Sequence, residues 1–439
     1  MITVHAVGPR YLDGLDQERR ELLLAQGFTA SVGQYAVLTN PRLEFFSGVG
    51  EQPTRSSVRR AIAILPLREG EEIGVVVSSG ETKESESLKS WVVAELIAQG
   101  QRVVDSDTSS RSHMWAVNEA LAVRRACEWT NAPGEELTPE RFARKAREMA
   151  DQASLDIRVL SSQELKDRGF GAILAVGQGS VHEPTMVDLR YAHPEARLSV
   201  ALVGKGITFD TGGLSLKSPT AMAPMRMDKV GAASILAVMS VLPSLEIPVN
   251  VRALLPMAEN MVGPTAVRPG DVVVGRSGVP ITIIDTDFEG RVLLSDALTY
   301  AAEEAPDVII DIAALTYQVV VALGSEIGGL FANEDELAGR LLRAGEATGD
   351  DLWRLPLAQR YRDQVVVAGG VKNHPEVDVG RAISAALFLH EFVPAHIAWA
   401  HLDITGPAWH GPASGPGATG FGVRALLAYL RDISSDSPV

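Results

Sequence analysis

LSVALV (Leu198–Val203), AASILAVMSVL (Ala232–Leu242) and VNVRALL (Val249–Leu255) read in order as strand, helix and strand. The first and last are short β-rich runs fit for a buried sheet, and the middle one is an uninterrupted helical stretch. Downstream the pattern repeats: Ile281–Ile284 and Val308–Ile312 read as strands, with Leu293–Glu303 as a helix between them. Alternation of this kind predicts an α/β domain around a central sheet, with ligands just past the carboxyl ends of its strands.

Working outward, Thr138-Pro139 opens a helix, with Thr138 as N-cap and Pro139 in the first position. Trp115–Glu128 reads as another helix. In the first hundred residues, Ala61–Leu67 and Ile73–Val77 read as strands and Leu88–Ala98 as a helix, which predicts a small α/β domain without obvious chemistry. The polar stretch DSDTSSRS (Asp105–Ser112), or the helix after it, is the expected linker. The expected domains are therefore 1–112, a small N-terminal α/β domain, and 113–439, the larger α/β domain.

Composition narrows the function. The formal net charge is −15, without a dense Lys/Arg run, which disfavours nucleic acid and anionic membrane surfaces. The single cysteine, Cys127, permits no intrachain disulfide and is expected as a core thiol. MITVHAVGPR at the start lacks the basic and apolar regions of a signal peptide, and no apolar stretch is long enough to span a bilayer. The expected location is the cytoplasm.

Three segments carry residues that a bland fold would not need. VGKGITFDTGGLSLK (Val203–Lys217) sets Lys205 directly after an apolar strand, with Asp210 and Lys217 around a glycine pair. MRMDKVGAA (Met225–Ala233) sets Asp228 before a helix with a small first turn. IDTDFEGRV (Ile284–Val292) spaces Asp285, Asp287 and Glu289 by two, which in extended backbone puts all three on one side. Carboxylates so gathered repel one another, and a divalent cation would remove the penalty. A lysine near two dications can ligate as the neutral amine. Gly204-Lys205 is not a phosphate-binding loop, Gly177-Gln178-Gly179 is not a dinucleotide fingerprint, and His390-Glu391 lacks the second histidine of a zinc-protease helix.

These segments resemble the leucyl aminopeptidase family of two-metal exopeptidases. The family signature Asn-Thr-Asp-Ala-Glu-Gly-Arg-Leu stands here as Asp285-Thr286-Asp287-Phe288-Glu289-Gly290-Arg291-Val292. Similarity also covers Asn131–Pro139, Leu174–Ser180, Val203–Lys217, Pro256–Asp271, Asp311–Asn333, Trp353–Leu357 and Trp399–Gly406, within roughly residues 115–430. The resemblance implies Lys205, Asp210, Asp228, Asp287 and Glu289 as ligands of two divalent ions (zinc, manganese or magnesium), bridged by Asp210 and Glu289. It implies Lys217 and Arg291 as the catalytic pair, the arginine holding a bicarbonate as general base. It implies peptide substrates with a free N-terminus, a small N-terminal α/β domain before a catalytic domain with a central mixed sheet, and a homohexamer. Beside the first substrate side chain it sets Met225, Ala314, Leu315, Tyr317 and Thr405.

The chain departs from the pattern at several positions. Asp285 replaces Asn, Phe288 a small Ala and Val292 a Leu; Tyr317 and Arg381 each replace a glycine. These changes leave the side-chain preference open. Two other classes compete: a different two-metal amidase or dipeptidase, and a non-catalytic DNA-binding role, which the net charge disfavours.

Overall fold

A computed structural model describes residues 2–435 apart from 10–11, 13–14, 16, 40–42, 51, 78–82, 105–110 and 411–416. The chain divides into two compact units: Met1–Arg124 with Ala347–Gly349, and Arg125–Glu346 with Asp350–Val439. The division falls inside the helix Arg111–Asn131. Most of the expected linker Asp105–Ser112 lies outside the described residues. Cys127, expected in the core, is only half-buried on that helix.

The smaller unit has a five-stranded sheet in the order Tyr35–Leu38, Glu44–Gly48, Ile2–Val7, Glu72–Val77, Arg102–Val104. Ala61–Leu67, read as a strand, instead runs out of the helix Arg55–Ala63. The helix starts at a capping box: Ser57 N donates to Thr54 Oγ1 at 3.1 Å, and Thr54 N to Ser57 Oγ at 2.9 Å. Val58, Ala61, Ile62 and Leu65 then recur at helical spacing and are buried together. A window beginning at Ala61 misses the cap that sets the period.

The larger unit is built on a mixed sheet in the order Leu352–Arg354, Gly328–Ala332, Ala398–Asp403, Val308–Ala313, Ser199–Gly204, Asn250–Asn260, Thr185–Tyr191, Asp156–Leu160, with Gly206–Asp210 added beside Asn250–Asn260. Its middle four strands are parallel, and antiparallel pairing begins on either side of them. Those middle strands are largely apolar on both faces because helices cover both faces, with Arg252, Asp311 and His401 as buried polar exceptions that pair with neighbours. Every residue of the helix Val230–Met239 is buried.

Two expectations shift. Ile281–Ile284 contributes only the short strand Pro280–Thr282, and to a separate four-stranded sheet. The helix read as Leu293–Glu303 begins at Glu289 and ends at Ala302, so Glu289 and Arg291 lie in its first turn. Among the described residues no helix is long and apolar enough to cross a membrane.

Candidate metal centre

Five chain segments deliver polar groups, four side chains and one backbone carbonyl, to one end of the parallel strands. Lys205 directly follows Ser199–Gly204, and Asp210 ends Gly206–Asp210. Asn260 ends Asn250–Asn260, Ala314 follows Val308–Ala313, and Asp403 ends Ala398–Asp403. All lie at carboxyl ends, where an α/β sheet presents loops. Asp228 joins them from the 3₁₀ turn Met225–Lys229, and Glu289 from the start of its helix. Close approach needs glycine at two places. A Cβ on Gly290 would sit 2.5 Å from Lys205 Cε. Gly212 has φ +86°, and a Cβ there would lie 2.9 Å from Asp287 Oδ1.

The resulting cluster has four carboxylates and two lysines. Lys205 Nζ lies 2.7 Å from Asp228 Oδ2 and 2.8 Å from Glu289 Oε1, and donates to the Ala314 carbonyl at 3.3 Å. Lys217 Nζ lies 2.8 Å from Asp210 Oδ2 and also pairs with Asp287. Asp210, Asp287 and Glu289 present oxygens within 4.8 Å of one another, a spacing that can hold an ion. Asp210 Oδ1 is oriented by Gly212 N and Asn260 Nδ2, both at 2.8 Å.

Electrostatics favour a cation here. Burial, reinforced by neighbouring carboxylates and opposed by Lys205, pushes Asp228 up to about 8. Burial and the charges of Glu289 and Asp210 push Asp287 up to about 7, and burial and Asp210 also raise Glu289. Burial alone would lower both lysines, yet the surrounding carboxylates hold them above the ordinary lysine range. With the four carboxylates ionised, two ammonium groups leave an excess of negative charge in a buried site. A donor set of carboxylate oxygens with amine nitrogen fits divalent ions of the zinc, manganese or magnesium kind.

Arg291 lies in the first turn of the helix Glu289–Ala302 and is fully buried. Its Nε and Nη1 have no hydrogen-bond partner, and its guanidinium stacks 4.7 Å from the Phe288 ring centroid. Burial lowers its pKa to about 9, with Glu289 and Asp403 opposing the shift. A buried guanidinium with open donors has the chemistry to pair with an anion.

The other sequence-derived residues fall into two groups. Ala314 offers its carbonyl to Lys205, and Leu315 and Thr405 are gathered by Asp403, a residue that sequence reasoning missed. Its carboxylate accepts from Leu315 N at 3.2 Å, from Thr316 Oγ1 at 2.6 Å and from Thr405 Oγ1 at 2.7 Å. Met225 is half-buried at the start of the 3₁₀ turn that carries Asp228, and Tyr317, 69% exposed, starts the helix Tyr317–Leu323. Asn260 was also missed. Both carried the same signal, a polar residue closing an apolar run.

Asp285 does not join the cluster. Residues 285–288 form a turn rather than extended backbone, and Asp285 Oδ1 accepts from Asp287 N at 2.9 Å. That short local bond is the reason the spacing of two does not hold. A large open cavity of about 960 Å³, lined by Asp307, Asn333, Glu334, Arg354, His390 and His396 among others, lies near the amino ends of Val308–Ala313 and Ala398–Asp403. Its lining includes none of the four carboxylates of the cluster, and size alone does not outweigh convergent charge.

A model of the cytosol aminopeptidase family, catalytic domain, matches residues 124–427. The chain belongs to this family. A probable cytosol aminopeptidase of Roseiflexus castenholzii is 48% identical over 319 residues, 71% of this chain and 65% of its own length. One from Chlorobaculum tepidum is 42% identical over 312 residues, 70% of this chain and 62% of its own. In both cases the chain spans just under two thirds of the relative's length. Among solved structures, the bottromycin maturation enzyme BotP in complex with Mn superposes with a TM-score of 0.88 at 34% identity, covering 99% of each chain. The cytosol aminopeptidase of Coxiella burnetii superposes at 0.86 with 30% identity, covering 98% of this chain and 97% of that one.

Proposed function

We propose that the chain is a metal-dependent aminopeptidase that removes the first residue from peptides with a free N-terminus. The observation that carries this reading is the buried cluster of Asp210, Asp228, Asp287 and Glu289 around two lysines at the carboxyl ends of the sheet, beside a guanidinium with open donors. Lys205, Asp210, Asp228, Asp287 and Glu289 would hold two divalent ions, Asp210 and Glu289 serving both. Such ions supply Lewis acidity and make a water nucleophilic near neutral pH.

The chain's own residues supply the rest. Lys217 is half-buried at the mouth of the cluster and polarises the scissile carbonyl, its ammonium hydrogen-bonding the oxygen as negative charge develops there. Arg291 keeps its charge and holds an anion, bicarbonate in this reading, which accepts the proton lost by the attacking water. Asn260 and Gly212 fix the Asp210 carboxylate, while the ion pairs of Lys205 and Lys217 with the four carboxylates would give way as the ions bind. A neutral substrate amine at one end of the cluster explains a restriction to free N-termini.

The test is a panel of amino-acid p-nitroanilides and dipeptides, with N-acetylated controls, in the presence and absence of Mn²⁺ or Zn²⁺. Metal-dependent turnover confined to free amines is the expected result. Turnover of acetylated amides instead would favour a different two-metal amidase, and no turnover with bound metal would reject both. A closed homohexamer is part of the same reading, and light scattering that gives a stable mass near 46.9 kDa would reject it.

A further inference from the structure

The ring of Phe288 stands between two residues of the cluster, Asp287 and Glu289, and is half-buried. Three groups meet it. The Arg291 guanidinium lies 4.7 Å from its centroid, the Arg381 guanidinium 5.7 Å, and the His374 ring packs edge-on at 4.4 Å. Arg291 is fully buried, whereas the Arg381 side chain reaches solvent and is 21% exposed. Asp287 is the most open carboxylate of the cluster, its side chain 31% exposed against 6% or less for the others. The open flank of a strongly acidic site is therefore walled by an arginine laid against an aromatic ring.

The present partners of Arg381 are replaceable. Its Nε donates to the Val377 carbonyl at 3.1 Å, and its Nη2 pairs with Asp378, whose side chain is 92% exposed. An ion pair with a solvated carboxylate is worth little, so exchange for another carboxylate costs little. The position of the guanidinium is meanwhile held by the ring. Phe288 and Arg381 both stand where the family pattern has small residues, and in the fold the two changes are one feature. Of the residues assigned to the first substrate side chain, Leu315 and Thr405 bond to Asp403, and neither they nor Met225, Ala314 and Tyr317 are among the three groups that meet Phe288.

We propose that Arg381, positioned by Phe288, binds a carboxylate on the leaving-group side of the substrate; this rests on the aminopeptidase reading above. A peptide then lies with its amine toward the acidic cluster and a negative group toward Arg381, which turns a site hostile to anions into one that selects them. The carboxylate is either the C-terminus of a dipeptide or the side chain of an acidic second residue.

Two substrate pairs separate the sources, with the manganese-loaded protein. The first is alanyl-alanine against alanyl-alanine amide, and the second alanyl-aspartate amide against alanyl-asparagine amide. Wild type should favour the carboxylate member of one pair by about 10-fold or more in kcat/KM, mainly through KM, the scale of one charge-assisted hydrogen bond. Preference in the first pair identifies a dipeptide terminus, and in the second an acidic side chain. Arg381→Gly should bring that ratio toward one with metal content unchanged, and Arg381→Lys should keep part of it. Turnover with ratios near one in both pairs for wild type overturns the proposal while leaving the aminopeptidase reading intact. So does a wild-type preference that Arg381→Gly retains. A metal-loaded wild type that cleaves none of the four overturns both.

Discussion

Lys205 and Lys217 are each held between two carboxylates, and their surroundings differ in a way that separates their roles. Lys205 is buried, and its ammonium also contacts the Ala314 carbonyl. Lys217 lies beyond the Gly212-Gly213 turn and keeps 14% of its side chain exposed, so it can face an incoming substrate. Lys217→Ala should therefore leave the metal content intact and lower kcat by about 10²-fold or more, the loss expected for one oxyanion donor. Glu289→Ala should lose both bound metal and turnover, because its carboxylate stands with Asp210 and Asp287 around one position. Elemental analysis beside steady-state kinetics separates the two outcomes. Equal metal content in wild type and Glu289→Ala would contradict the ligand set, and full turnover in metal-replete Lys217→Ala would contradict its role.

At the level of elements, the first turn of the helix Val230–Met239 rests directly on strand backbone. Ala232 N donates to Lys205 O at 2.9 Å, and a Cβ on Gly231 would come within 2.1 Å of Ile312 O. Backbone cannot swing aside as a side-chain tip can. Gly231→Ala should cost about 1–3 kcal/mol or more of stability by overpacking. It should also weaken metal binding by displacing Lys205. Val181→Ala, on a residue 92% exposed, should change neither. Thermal melts and metal titration of both variants check the contrast. The same elements show what a linear reading can see. Three of the four parallel strands were legible because burial on both faces makes them nearly continuous apolar runs, whereas Ala398–Asp403, broken by His401, was not read as a strand. Asp285 misled because an i, i+2 spacing assumes extended backbone, whereas one side-chain bond to Asp287 N curls the segment into a turn. The strand Pro280–Thr282 was legible as a strand, but its sheet depends on pairing with Gly370–Lys372, far along the chain. Asp403 and Asn260 became visible as site residues only once the strands they end were side by side.

For the whole molecule, the cluster couples stability to pH. Asp228 and Asp287 are held near 8 and 7 in the folded chain, above the value of an unfolded aspartate, chiefly by burial. Between roughly pH 4 and those values the folded state binds protons that the unfolded state has released, so stability falls as pH rises. Divalent ions compete for the same oxygens and release those protons. Protein stripped with chelator should melt at lower temperature at about pH 8.5 than at about pH 5.5, within the range where these groups titrate. Added Mn²⁺ should raise Tm more at the higher pH. A stripped protein whose Tm climbs across that interval would contradict the assignment. The cluster is also dispersed along the sequence, from Lys205 through Asp228 and Asn260 to Glu289, with its supporting carboxylate at Asp403. Synthesis runs from the amino terminus at about 5–20 residues per second, so roughly 200 residues separate the first of these groups from the last. A ribosome-bound chain that has emerged only to the strand Val308–Ala313 already carries every candidate ligand, yet lacks the strand Ala398–Asp403 that orders the loop after it. The bonds from Leu315 N and Thr316 Oγ1 to Asp403 therefore form only after the strand near the carboxyl terminus has been made, so the cluster is finished by one of the last strands to leave the ribosome.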